Sequence, residues 1–387
     1  MPSSKNQRFN LITTAAFSAA VIYHLYHLEL NYRIADQTYI NSRSLRRPSE
    51  SAATALINGR DHKSFLCHLG LTVEAFENLY GEFKLHYPQE CPTGRPRVLD
   101  AKMVLALVLM WLHNTMKQET LSMIFGVPAA TVIRSNNMGI ETFLKMFKSK
   151  PKDPRSKIGW PSSSEKAEFN EMVLSNTTND FERGVLTGIF GFVDGLNLRI
   201  QHPEDSLKQN AYYNGCKGDC FASQVIVFTP DGCICYVRYN YSGSWHDAQI
   251  FIPLYRDLLA RHCPEPFKIL ADSAFPCKRE FASKVLSVPK ENAIGLNRAD
   301  RETQKKHAVI TKHRQAVEWG MRCLQQSFGR LHMKLPSHKP ERNDMLIVVW
   351  RLHNFRTRLV GINQIRTVYY GTWNYRRNVL ENRVRFN

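Results

Sequence analysis

GFVDGLNLRI at 191–200, FKILADSAFP at 267–276 and RQAVEWGMRC at 314–323 each carry one carboxylate in an informative place. Asp194 and Asp272 each end a short, mostly apolar run, and Glu318 opens a helical pattern. An unpaired carboxylate at the end of a buried strand is costly, so such acids need a partner. One or two divalent cations are a natural one. The 387-residue chain has 52 Lys and Arg against 34 Asp and Glu, a formal charge of +18. A converging set of acids is out of keeping with that balance and points to a metal-dependent site acting on a polyanion. The excess of basic residues itself favours nucleic acid as partner, ahead of an anionic membrane surface.

Outward from these acids the apolar period becomes that of a sheet. GIFGFVDGLNLRI reads as a strand, and SQVIVFTPDGCICYVRYN as two strands joined at Pro230-Asp231-Gly232. A helix (AQIFIPLYRDLLARH), a fourth strand (FKILAD) and a helix over 279–286 follow. AIGLN, after Asn292, is a possible further strand, and helical runs at 312–332 and 341–360 close the domain. The pattern predicts a mixed α/β sheet. Neighbouring strands lie roughly 5 Å apart, so Asp194 and Asp272 at adjacent strand ends can share Mg²⁺ or Mn²⁺, with Glu318 completing the shell from a helix laid on the sheet. Mg²⁺ prefers oxygen ligands and retains waters, which leaves room for a phosphate. Two such ions about 4 Å apart activate the attacking water or 3′-hydroxyl and stabilise the leaving oxygen. Taken singly, each acid is more simply a solvated carboxylate; the matching positions of the three carry the reading. GSWHDAQ at 243–249 adds His246 and Asp247, the latter a helix cap or a group that orients a metal ligand from behind.

Upstream, five segments are expected: 1–60, an N-terminal helix and flexible basic arm; 61–150, helical; 151–184, a linker with helices; 185–360, the acid-bearing domain; and 361–387, a basic aromatic tail. Residues 9–23 are apolar but too short to span a bilayer, so an amphipathic or partly buried helix is expected, with a membrane anchor as the alternative. From Gln118 the chain reads as a short helix, a turn at Gly126-Val127 and a second helix opening at Pro128. In a DNA-reading helix-turn-helix the second helix would present Thr131, Arg134, Asn136 and Asn137, residue types suited to base edges and phosphates. An ordinary helical hairpin is the alternative. The tail, with Arg376 and Arg377 among Tyr and Trp, either follows a phosphate backbone or caps the domain. Nine scattered cysteines make no disulfide framework, and the spacing of Cys216, Cys220, Cys233 and Cys235 lacks the usual zinc pairing.

FVDGLNLRI, YYNGCKGDCFASQVIVFTPDGCI, SGSWHDAQIFIPLY, ILADSAFP and AVEWGMRCLQQSFGRLHMKLP, together spanning about 190–336, resemble the DDE-type transposases of the PIF/Harbinger superfamily, in the branch common in fungi and oomycetes. A weaker likeness runs back to His62. The resemblance implies an RNase H-like catalytic domain preceded by an all-α helix-turn-helix domain, and nuclear action with Mg²⁺ or Mn²⁺. It further implies cutting at terminal inverted repeats, transfer of 3′ ends to a short A/T-rich target in DNA, and a separate Myb-like accessory protein. A homodimer is also an expectation. The family acids fall on Asp194, Asp272 (in A-D-S-A-F-P, where relatives more often have G-D-S-G-Y-P) and Glu318. The longer W-G-M version of the last segment selects Glu318, ten residues before Phe328, over Gln325. A domesticated DNA-binding protein that no longer cuts is the alternative.

Overall fold

The computed structural model describes residues 17–28, 40, 42–88, 96–258, 263–275, 279–287 and 301–385. Helix α1 covers 17–28. It is followed by α2 (Ala52–Gly59), α3 (His62–Leu69), α4 (Val73–His86), α5 (Ala101–His113), α6 (Gln118–Phe125), α7 (Ala129–Ser149), α8 (Ser163–Leu174) and α9 (Asp180–Leu186). Several begin where the sequence provides an oxygen for an orphan N–H. Asp61 accepts from Ser64 N, Thr72 from Ala75 N and Asp100 from Met103 N. Ser162 and Glu165 form a reciprocal capping box. The stretch read as a flexible arm contains α2, whose Ala53 and Ile57 are buried, so apolar burial holds it in place.

Two compact units result. One comprises the described residues of Met1–Ala55 with Met116–Arg134; the other comprises those of Leu56–Thr115 with Ser135–Asn387. In the first, α6 ends at Gly126, in the left-handed region at φ 68°, and α7 restarts two residues later. A Cβ at Gly126 would run into the backbone of Arg46 and Arg47, so both the dihedral and the close approach call for glycine. No helix among the described residues is long and apolar enough to cross a membrane. The segment 9–23 lies partly outside them.

The second unit contains a six-stranded mixed sheet. Its strands are β1 (Ile189–Arg199), β2 (Tyr213–Asn214), β3 (Asp219–Phe228), β4 (Ile234–Ser242), β5 (Lys268–Ala271) and β6 (Val285–Leu286). Across the sheet the order is β4, β3, β1, β5, β6, with β2 also on β3. β3 runs antiparallel to both β4 and β1, whereas β1, β5 and β6 run parallel. Gly232, at φ 82°, makes the β3–β4 turn that Pro230-Asp231-Gly232 predicts. Helices α10 (Ser206–Tyr212) and α11 (Asp247–Asp257) are inserted in the sheet region, and α12 (Arg301–Ser327), α13 (Lys339–Leu359) and α14 (Gln364–Arg385) follow it.

Both sheet faces are covered. On one, Val193, Val225, Val227, Ile269 and Ala271 pack with Ile250, Phe251 and Leu254 of α11. On the other, Phe192 meets Tyr369 of α14, and Gly320 lets α12 lie directly on the Phe228 ring. Two sequence expectations are corrected here, and one of the two readings of the tail is supported. Residues 279–286 are not a helix but a short 3₁₀ turn (Arg279–Ser283) and β6, because Val285 pairs with Ile269 in the sheet. The tail is helix α14, with Ile365 and Tyr369 buried, so the capping alternative describes its first turns. Asp194 does not end its strand, since β1 continues to Arg199 against β3. The possible strand AIGLN lies outside the described residues.

Candidate active site

The register of β1 against β5 explains why Asp194 and Asp272 belong together. Their parallel pairing ends at Val193↔Ala271. Asp194 and Asp272 are the next residue on each strand, so they leave the paired region at the same level, one inter-strand spacing of roughly 5 Å apart. β1 is still held by β3 on its other side, with Asp194 opposite Ile226. Asp194 is thereby fixed on a rigid strand at the point where its β5 neighbour falls away. Each carboxylate takes one backbone N–H: Gly195 N donates to Asp194 Oδ1 at 2.7 Å, and Ser273 N to Asp272 Oδ1 at 2.7 Å.

Asp247, the first residue of α11, comes to the same place. A Cβ on Gly195 would lie no farther than 2.6 Å from the Asp247 carboxyl atoms, so the glycine after Asp194 is what admits Asp247. The D-G and W-H-D motifs are therefore two halves of one contact. The electrostatics follow from the crowding. Burial pushes the Asp194 carboxyl up to about 6, and the charges of Asp272 and Asp247 push the same way against the Gly195 N–H and Arg314. Burial also raises Asp247, with Lys217 and His246 opposing. His246 is exposed, its backbone N–H 3.3 Å from Gln249 Oε1. Asp247 thus adds its charge to those of Asp194 and Asp272 from the start of α11.

Glu318 is linked to the cluster through Arg314. It is exposed on α12, and Arg314, one turn earlier, holds its Oε1 at 3.0 Å. The other arm of the same guanidinium lies 3.7 Å from Asp272 Oδ1. Arg314 therefore stands between the second and third acids. The sequence signal for it was present, an Arg–Glu pair at i, i+4 in RQAVE, but such pairs are common helix-surface features. Among the described residues, no three His, Cys, Asp or Glu side chains come together closely enough to hold a metal ion. The donor chemistry nonetheless suits a hard divalent cation at Asp194 and Asp272: oxygen-only ligands, with carboxylate charge that a single guanidinium leaves uncompensated. Cys220, Cys233 and Cys235 are free and buried in or beside the sheet, apart from these acids.

On α7, Arg134 and Asn137 are exposed, Thr131 is half-buried, and Arg134 Nη2 donates to Thr131 Oγ1 at 3.3 Å. Asn136 is a correction. It is buried with Val132, Ser135 and Gly139, which share one helical stripe. Gly139 is pressed on Val104 and Val108 of α5, so that stripe faces the protein. A side chain on it cannot be presented to a base.

Residues 193–354 match the family model of the DDE superfamily endonuclease. The matched span runs from the residue before Asp194 to the middle of α13 and includes Asp247, Asp272, Arg314 and Glu318. Over it the chain is similar to a transposase-like nuclease, a class whose members typically use divalent metals and whose substrate is DNA. No curated protein and no solved structure gave a match.

Proposed function

We propose that the chain is a metal-dependent DNA endonuclease and strand-transfer enzyme of the PIF/Harbinger kind, cutting at terminal inverted repeats and joining 3′ ends to target DNA in the nucleus. The observation that carries this is the Val193↔Ala271 register, which sets Asp194 and Asp272 side by side with Asp247 packed against Gly195. The strand order, three antiparallel strands followed by two parallel ones, supports an RNase H-like reading of the sheet. Asp194 and Asp272 would hold the Mg²⁺ or Mn²⁺. When bound, the metal supplies Lewis-acid polarisation of the phosphodiester and a more acidic water or 3′-hydroxyl. The chain contributes placement. β1 and β5 hold the two carboxylates at a fixed spacing, and Asp247 adds negative charge on the α11 side. Lys217, exposed beside Asp247, offers a cation for a neighbouring phosphate. On α7, Thr131, Arg134 and Asn137 are the groups we assign to DNA contact. A Myb-like protein and a second copy of the chain are the partners this reading includes.

One observation favours a second reading. Arg314 holds Glu318 in an ion pair, which is the arrangement a DNA-binding protein that does not cut could keep. Incubation of end-labelled terminal-repeat DNA with the full chain in Mn²⁺ separates the two. Cleavage that disappears in Asp194→Ala and in Asp272→Ala supports the enzyme. Salt-sensitive binding with no Mn²⁺-dependent product supports the non-cutting protein. Cleavage that survives either substitution removes these residues from the site.

A further inference from the structure

Two residues before Asp247, the loop from β4 to α11 carries Trp245, which is 47% exposed although it is among the largest apolar side chains of the unit. Adjacent Cα atoms are 3.8 Å apart, so Trp245 and Asp247 lie within about 7 Å of each other. The indole is not loose. Its ring centroid lies 5.6 Å from that of Tyr241, and Tyr241 packs on the sheet core. Behind Tyr241 stands Arg238, its guanidinium 5.4 Å from the ring and its Nε 2.8 Å from the Tyr241 hydroxyl. The indole is tilted at 42° against Tyr241, whose hydroxyl accepts from Arg238, and it keeps an exposed aromatic surface.

The loop beneath it is held by backbone contacts. A Cβ on Gly243 would collide with the carbonyls of Phe221 and Tyr212, so the turn is pressed against both. Asn214 Nδ2 donates to Gly243 O at 3.0 Å, and Trp245 N to Ser242 O at 3.0 Å. The indole that this turn carries is left about half exposed. An exposed aromatic held rigid beside a cluster of acids suits a flat apolar partner at low entropic cost.

We infer that Trp245 is a stacking platform for an unpaired base of the DNA strand whose phosphate would be held, through a divalent metal, at Asp194 and Asp272. The inference rests on the DNA reading above and adds that the strand is opened next to the acids. Trp245 and Asp247 share one loop, so a base stacked on the indole belongs to a nucleotide close to the bound phosphate. Stacking tolerates any base, so it would not depend on the repeat sequence recognised elsewhere. Lys217, lying over the Phe221 ring at 5.3 Å, supplies positive charge beside Asp247.

The test uses the full chain, a fluorescein-labelled oligo-dT strand, the same strand with an abasic stretch, and a mixed-sequence duplex of equal length, all at one salt concentration. Trp245→Ala is expected to weaken binding to oligo-dT roughly tenfold and Trp245→Phe much less, with duplex binding nearly unchanged. The abasic strand should cost the wild type a similar factor and the Trp245→Ala protein little. Melting temperatures of both variants close to wild type show that the loop change is local. Equal oligo-dT affinity for wild type and Trp245→Ala overturns the platform and leaves the DNA reading standing. Failure of the wild type to bind either strand or duplex overturns both.

Discussion

Glu182 and Asp194 belong to the same unit and are close in sequence, yet their surroundings are opposites. Glu182, at the start of α9, is saturated. Thr178 donates to Oε2 through its backbone N–H and its hydroxyl, both at 2.7 Å, while Lys312 Nζ lies 2.7 Å and His313 Nε2 3.0 Å from Oε1. Tyr369 of α14 meets the other nitrogen of His313 at 3.1 Å. Desolvation acts upward on this carboxyl, but the hydrogen bonds win and hold it down at about 2. Asp194 has one backbone N–H and the repulsion of Asp272 and Asp247, and it stands at about 6. One acid ties α9, α12 and α14 together. The other is kept on a rigid strand with its charge unbalanced, the condition under which an added cation is favoured. The fold supplies Glu182 with a full set of partners and leaves Asp194 short of them.

The largest expected break in this contrast is at the unbalanced acid. Asp194→Asn is expected to reduce Mn²⁺-dependent cleavage by on the order of 10³-fold while leaving the metal-free melting temperature equal or higher, since it removes a charge the fold does not neutralise. A fall in melting temperature comparable to that of a core substitution would show that Asp194 is structural. Next, Glu182→Gln is expected to destabilise the protein by about 2 kcal/mol, because His313 and Thr178 lose a charged acceptor inside the protein. Denaturant unfolding measures this, and an unchanged midpoint would mean the network is dispensable.

The same pair gives a pH prediction. The folded Glu182 carboxyl lies below its ordinary value of 4.5, so its stabilisation is complete above that value. It is lost as pH falls toward about 2. Unfolding midpoints followed across that window should converge for wild type and Glu182→Gln at the acid end and diverge above pH 5. Parallel curves would contradict the assignment. The smallest effect belongs to Arg314. Arg314→Gln frees Glu318 and removes a cation beside Asp272, and Mn²⁺ titration by calorimetry should show affinity rising by up to about fivefold, the ceiling for a partly exposed ion pair. Weaker Mn²⁺ binding in that variant would mean that Arg314 orients the acids rather than competing for them.

Much of the acid-bearing sheet was legible in the sequence because strand and turn chemistry are local. GIFGFVDGLNLRI, the Pro230-Asp231-Gly232 turn and FKILAD all lie on observed strands and turns. Periodicity on one strand does not contain the partner strand. It therefore read Asp194 as a strand end, whereas β3 pairing carries β1 to Arg199 and β5 pairing alone stops at Val193. Asn136 was misjudged for a related reason. Its polarity suggested an outward position, but its place on the stripe with Val132 and Gly139 decided that it faces α5.

Composition and local pattern thus determined that the chain is a basic α/β protein with acids at Asp194, Asp272 and Glu318 and a helix pair turning at Gly126. Tertiary structure alone decided which acids meet. It brought Asp247 against Gly195, set Arg314 of α12 beside Asp272 and left Trp245 exposed two residues from Asp247. The physical reason is range. Hydrogen-bonding periodicity and turn preference act over a few residues, whereas charge neutralisation and close backbone approach are set by neighbours that the folded sheet brings from segments far apart in the chain.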